Sequence, residues 1–235
     1  MPVIETRGVS KSFGKVQAVK DLDMEVGEGQ LYGFIGPNGA GKTTTIELLT
    51  GQLEPDSGTM NVLGVDPVEN PVEVRGKVGV LPEREDPPSF LTPREYFEFV
   101  ADVRGTEEVD VKVEEWAERL RFEDRLDTLS KDLSKGEKQK VMISQAFLHE
   151  PDLVFIDEPL INLDPVVQER LKEYFRGYRE DGNTVFLSTH VMSLADEVCT
   201  HIGLLDQGEL VASGGKDEML EAGENLEDAF IRLVE

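Results

Sequence analysis

The stretch Gly36-Pro37-Asn38-Gly39-Ala40-Gly41-Lys42-Thr43, followed by Thr44, constrains this chain more than any other. It lies after the apolar run QLYGFI and before TTIELLT, so a strand enters a glycine-rich turn and the turn opens a helix. Glycines let the backbone curl until its N–H groups converge, and a helix N-terminus adds a fixed partial positive charge. Such a cradle fits phosphate oxygens. Lys42 is expected to neutralise the β- and γ-phosphates of a nucleotide, and Thr43 to offer its hydroxyl to Mg²⁺. Gly51 is the expected stop of the helix.

Around this loop the patterning alternates. VIETRGVS and VQAVKDLDMEV are β-rich runs separated by the polar turns KSFGK and GEG, and the segments EPDSGTMNVLG and KVGVLPE give a turn and two more short strands. From about Pro87 to Lys140 the texture becomes helical and charged. Thr92, Pro93 and Glu95 have the spacing of a capped helix start, and YFEFVADVR and VKVEEWAERLRF carry apolar residues at helical intervals. Tyr96, Phe97, Phe99 and Trp116 are expected to fill the core there. Strand and helix then alternate again: LVFID, a helix over Pro165–Tyr178, TVFLS, the helix MSLADEV, IGLLD and ELVAS. This order predicts an α/β fold with a mostly parallel sheet covered on both faces, an antiparallel β subdomain and a helical insertion. One domain over 1–235 is expected, with the α/β core and β subdomain from 1–86 and 141–235 and the helical part from about 87–140.

Three further places carry chemistry. The strand LVFID delivers Asp157 and Glu158 at its C-terminal end, where open α/β sheets bind ligands. Neighbours on a strand point to opposite sides, so Asp157 is assigned to the Mg²⁺ shell and Glu158 to the attacking water as general base. His190 follows the strand TVFLST at a similar edge and is expected to meet the γ-phosphate. His149 and His201 lack that context and read as structural. In LSKGEKQK, Ser134 and Glu137 have capping-box spacing, so the N–H groups at this helix start, with Gly136, form a second anion site. One nucleotide does not need both sites. The second would serve a nucleotide held by another copy, which implies a head-to-tail dimer.

With these residues in view, the chain resembles the nucleotide-binding subunits of ABC transporters over essentially its whole length. GPNGAGKT is similar to the family's Walker A, LSKGEKQ to its signature motif, LVFIDE to its Walker B, NLDP around Asp164 to its D-loop, and His190 to its switch histidine. The resemblance implies a P-loop NTPase core, ATP with Mg²⁺, an aromatic at Phe13 stacked on adenine, and membrane-spanning partners touched through the helical insertion and the loop near Glu83. Glu83 stands where the family has a metal-contacting glutamine, and it is expected to coordinate Mg²⁺ through oxygen. Lys135 and Glu137 replace the usual glycine and glutamine of the signature. LSKG, LPE and NLEDAF resemble export-type subunits. A soluble ATPase of the same fold acting on ribosomes or DNA, and a P-loop kinase, are the competing readings. Members of the first kind resemble tandem two-site chains or carry long coiled-coil insertions, whereas this chain has one glycine loop and no heptad run; the second anion site at Ser134 opposes the other.

Composition limits the rest. The chain has 235 residues with 24 Lys+Arg against 48 Asp+Glu, a net charge of −24. Phosphate attraction by nucleic acid needs a basic face, so no nucleic-acid partner is expected. No run reaches the ~18 apolar residues of a membrane span, and the N-terminus reads as no secretory signal, so a cytoplasmic place on the inner membrane face is expected. The single cysteine, Cys199, excludes an internal disulfide and a Cys-based zinc site. The acidity reads as adaptation to multi-molar salt, in which self-repulsion is screened within about 3 Å. The thermal unfolding midpoint should accordingly be higher in about 2 M KCl than at about 0.1 M, where the screening length is about 10 Å. A calorimetric scan showing the reverse order would contradict this reading.

Overall fold

The computed structural model describes residues 2–160, 162–221 and 224–234. Its strands and helices run β1 (Pro2–Phe13), β2 (Val16–Gly27), β3 (Leu31–Ile35), α1 (Lys42–Leu49), β4 (Ser57–Val62), α2 (Pro71–Lys77), β5 (Val78–Leu81), α3 (Pro93–Arg104) and α4 (Val109–Leu120). They continue with α5 (Lys135–Phe147), β6 (Leu153–Asp157), α6 (Pro165–Glu180), β7 (Thr184–Thr189), α7 (Met192–Val198), β8 (His201–Asp206), β9 (Glu209–Gly215), α8 (Lys216–Met219) and α9 (Leu226–Val234).

Two sheets form. The larger has the order β5-β6-β7-β3-β8-β9, parallel except for β9, which runs antiparallel to β8 at one edge. The smaller is antiparallel, β2-β1-β4. Every residue of β3, β6 and β7 is buried, as a parallel sheet covered on both faces requires. Alternate residues divide between two cores. Leu31, Ile35, Val154, Ile156, Val185 and Leu187 face the layer that includes α3 to α6, whereas Tyr32, Phe34, Leu153, Phe155 and Phe186 face α1 and the antiparallel sheet.

Local signals were well placed at several element ends. Thr92 caps α3, accepting from Glu95 N–H at 3.3 Å while the Glu95 carboxylate accepts from Thr92 N–H at 2.8 Å. Gly51 takes the left-handed conformation just past α1 (φ +64°). Elsewhere the structure differs. KSFGK is not a turn: β1 continues to Phe13, opposite Val16, so the reversal needs only Gly14 and Lys15. Helix α2 has seven residues and buries only Val74, too short to display a period, and it was not expected from the sequence. Phe99 is 59% exposed, because Phe97, Val100 and Ala101 take the inward side of α3. Tyr96 is half-buried, while Phe97 and Trp116 are in the core as expected.

Phe147 on α5 ties α4 to α6 within the helical layer. Its ring centroid lies 5.4 Å from that of Trp116, 5.1 Å from Tyr174 and 5.2 Å from Tyr178, the last two edge-on. Edge-to-face contacts of this kind add to the area buried. Replacement Phe147→Ala should lower the unfolding free energy by about 3–5 kcal/mol in urea titration. A loss below about 1 kcal/mol would mean that α5 is not anchored through this ring.

Candidate functional site

The glycine loop spans the gap between β3 and α1, with Pro37, Asn38 and Gly39 exposed and Ala40 buried. Gly41 has φ +107°, and a Cβ there would lie 2.2 Å from the Ala18 carbonyl oxygen, so only glycine fits. Lys42 is buried and its Nζ donates to the carbonyls of Gly36 (2.8 Å) and Pro37 (3.1 Å). Burial pulls the Lys42 pKa down, and the carboxylates of Glu158, Asp157 and Glu83 oppose that pull. Asn38, Gly39 and Gly41 to Thr44 of the loop, with Glu83, Asp157, Glu158 and His190, line one cavity of about 460 Å³ at the C-terminal ends of the parallel strands. A larger cleft of about 980 Å³ includes Asp152 and Asn183, just before β6 and β7 at the opposite end of the sheet, and holds none of these groups.

The two acids are separated by a backbone turn. Strand β6 ends at Asp157, and Glu158 adopts φ +51°, so the divergence expected from the pleat comes instead from a left-handed residue. Asp157 lies opposite Ser188 of β7. Its Oδ1 accepts from Ser188 Oγ at 2.7 Å and its Oδ2 from Thr43 Oγ1 at 2.6 Å. Burial raises the Asp157 pKa, and the two hydroxyl donors work against the rise. Glu158 turns the other way. Its Oε1 accepts from His190 N–H (2.8 Å) and pairs with His190 Nδ1 (2.6 Å), and its Oε2 accepts from Thr189 Oγ1 (3.0 Å). An ionised carboxylate only accepts, so Nδ1 carries the hydrogen in this tautomer.

Thr43 and Asp157 offer hard oxygen donors side by side. Among the described residues no three His, Cys, Asp or Glu side chains are grouped to hold a metal. The pair therefore suits an ion that takes one or two protein oxygens and completes its shell with phosphates and water, which is the habit of Mg²⁺. Glu83 lines the same cavity, but its carboxylate pairs with Arg84 at 3.2 Å and makes no hydrogen bond to Thr43 or Asp157.

Ser134, Gly136 and Phe13 do not line the cavity. Ser134 caps α5: its Oγ accepts from Glu137 N–H at 3.3 Å, and Glu137 accepts from Ser134 N–H at 2.7 Å. That backbone hydrogen bond holds the Glu137 carboxyl below its usual range, with help from Arg125 at 2.8 Å. A Cβ on Gly136 would lie 2.6 Å from the Asn162 carbonyl oxygen, so this helix start is fitted closely to the loop after β6. Asp164 caps α6 through Val166 N–H and Val167 N–H. Phe13 is 49% exposed at the end of β1, with Lys11 Nζ 5.8 Å from its ring centroid. His149 is packed beside Arg104, where burial pushes its pKa down to about 4, and His201 begins β8; neither lines the cavity. Sequence reasoning missed Ser188 and Thr189. Their signal was the change from apolar to hydroxyl residues in TVFLST just before His190.

Residues 19–161 match the family model described as "ABC transporter". The chain is 32% identical over 222 residues to the Nod factor export ATP-binding protein I of Cupriavidus metallidurans, covering 94% of this chain and 73% of that protein. It is 32% identical over 241 residues to the probable multidrug ABC transporter ATP-binding protein YbhF of Escherichia coli, covering 99% of this chain but 42% of that longer protein. A solved ATP-binding subunit of an ABC transporter superposes with a TM-score of 0.93 at 30% identity, covering 99% of this chain and all of the other. A dimeric post-hydrolysis cassette bound to ADP and Pi shares the fold, with a TM-score of 0.82 at 22% identity over 90% of this chain and 98% of that one.

The site and these likenesses together define a nucleotide-binding cassette. The chain belongs to the ABC transporter family, and it is an ATPase subunit of that family. Among the described residues no helix is long and apolar enough to cross a membrane. Gly41→Ala should weaken ATP binding about 5- to 150-fold, since it forces about 1–3 kcal/mol of backbone strain into the loop. Calorimetric titration giving an unchanged affinity would contradict the cradle.

Proposed function

We propose that two copies of this chain close head to tail on two ATP molecules, each held by Gly36 to Thr44 of one copy and by Ser134 and Gly136 of the other. The closure would drive a membrane-spanning partner, most directly one that exports its substrate. The observation that carries this reading is the presence, in one chain, of a complete cavity around Lys42, Asp157, Glu158 and His190 and of a separate capped helix start at Ser134 that does not line it. The relatives named for Nod factor export and multidrug transport support the export direction and weigh against a ribosome- or DNA-directed ATPase.

The chain's own groups define the steps. Backbone N–H groups of the loop and the ammonium of Lys42 bind the β- and γ-phosphates. Phe13 packs on the adenine. Thr43 and Asp157 would hold Mg²⁺, with Glu83 at its margin, and the ion would supply charge neutralisation at the phosphates. On closure the His190 ring exchanges its hold on Glu158 Oε1 for the γ-phosphate, and this oxygen, still accepting from His190 N–H, aligns the attacking water and takes its proton. Closure also removes bulk water from the shared site.

Residues from about 87 to 140 act in this scheme as the helical subdomain that carries the signature helix start to the opposite copy. The membrane partner sits against this subdomain and the loop near Glu83, which places the chain peripherally on the cytoplasmic face. A net charge of −24 supports work in concentrated salt.

Glu158→Gln keeps the shape and the hydrogen-bond acceptor but loses the base. It should bind ATP within about twofold of the parent, lower turnover by at least about 100-fold, and elute as an ATP-dependent dimer in size-exclusion chromatography. Turnover near the parent rate would remove Glu158 from the base role.

A further inference from the structure

Thr189 is completely buried at the last position of β7 and has no part in the roles assigned above. It nevertheless touches each of the parts that must work together. Its carbonyl oxygen accepts from the N–H of Gly36, the first residue of the phosphate loop, at 3.4 Å. Its side-chain oxygen accepts from Val191 N–H at 3.0 Å and lies 3.0 Å from Glu158 Oε2. His190, between Thr189 and Val191, holds the other oxygen of the same carboxylate.

The direction of these bonds follows from their chemistry. A threonine hydroxyl has one hydrogen to donate and two lone pairs to accept with. A backbone N–H can only donate, so Val191 occupies a lone pair on Oγ1 and leaves the single hydroxyl hydrogen for Glu158. The hydroxyl is therefore a fixed donor rather than a free rotor. Burial strengthens this bond and makes its loss costly, because Thr189 is fully buried and Glu158 nearly so.

The two oxygens of Glu158 are thus held by different means. Oε1 is held by His190, whose side chain is 42% exposed at the cavity, whereas Oε2 is held from inside the fold by a residue with no freedom to follow a ligand. We propose that Thr189 is a positioning residue for ATP hydrolysis: its hydroxyl anchors Glu158 Oε2, so that when the His190 ring leaves Oε1 the carboxylate stays aimed at the water. The inference rests on the reading of Glu158 as general base and adds the group that orients it. Without the anchor, release of the His190 ring would leave the carboxylate held by the His190 N–H on Oε1 alone, a single pivot about which it can swing out of line with the water.

The test uses the full chain with Thr189→Val, which preserves shape and removes the donor, and Thr189→Ser, which restores it. Nucleotide affinity and single-turnover hydrolysis are measured for each, alone and combined with Glu158→Gln. Thr189→Val should retain ATP affinity within about twofold and lose about 10- to 100-fold in hydrolysis rate, the size expected of a misplaced catalytic group. Thr189→Ser should stay within about threefold of the parent. In the Glu158→Gln background, adding Thr189→Val should leave the residual rate unchanged, because the anchor has no base to orient. Should the valine variant fail to accumulate as folded protein, Thr189→Ala is read by the same criteria.

Hydrolysis by Thr189→Val at the parent rate, beside an inactive Glu158→Gln, would overturn the role of Thr189 alone. A serine variant as slow as the valine variant, or a further drop in the double variant, would overturn it equally. Parent-rate hydrolysis by Glu158→Gln would overturn the base reading, and this inference with it.

Discussion

The pairing of β6 with β7, Asp157 opposite Ser188, is the constraint on which the site depends. A slip of one residue between these strands would carry each side chain to the other face of the sheet. Asp157 would lose Ser188, and Glu158 would lose both Thr189 and His190. The neighbouring pairing of β3 with β7 sets Ile35 opposite Thr189, so the glycine loop begins at the same level as the acids and hydroxyls end. The central strands β6, β7 and β3 therefore deliver their chemistry to one edge, where a parallel sheet with crossover helices leaves a crevice.

Charge makes that edge demanding. Glu83, Asp157 and Glu158 all face the cavity, and Lys42 and Arg84 are the cationic side chains among its lining residues. The hydroxyls of Thr43, Ser188 and Thr189 and the N–H of His190 satisfy the two inner carboxylates, so these acids are held by neutral donors and by His190 rather than by a lysine or arginine. Lys42 is thereby left to donate to the loop carbonyls of Gly36 and Pro37 instead of pairing with either acid. The start of α5 differs, since there Glu137 is held both by Ser134 N–H and by the guanidinium of Arg125.

What was legible in the sequence was what depends on neighbours along the chain. The glycine loop, the capping residues Thr92 and Ser134, the stop at Gly51 and the buried strands all announce themselves within a few residues. Placement of Asp157, Glu158 and His190 at one edge followed from the rule for parallel sheets. The features that escaped depend on distant partners or on a single dihedral. Phe99 satisfies the helical pattern of α3 but loses the inward side to Phe97. Glu158 separates from Asp157 through a left-handed residue that no composition rule anticipates. Ser188 and Thr189 matter only because β6 lies beside β7, and that neighbour is 31 positions away along the chain for each bonded pair.

The central claim is that a working site is assembled from two chains. Lys42→Ala removes the phosphate lysine from one half of each site, and Ser134→Arg blocks the other half. Alone, each variant has no intact site in any dimer it forms. Mixed, they produce heterodimers in which one site draws an unaltered loop from the Ser134→Arg chain and an unaltered signature helix from the Lys42→Ala chain. ATP hydrolysis by each variant and by their equimolar mixture is the measurement. Two inactive variants that regain turnover on mixing are the result the shared site requires. A mixture as inactive as its components, in samples that demonstrably exchange subunits, would contradict it.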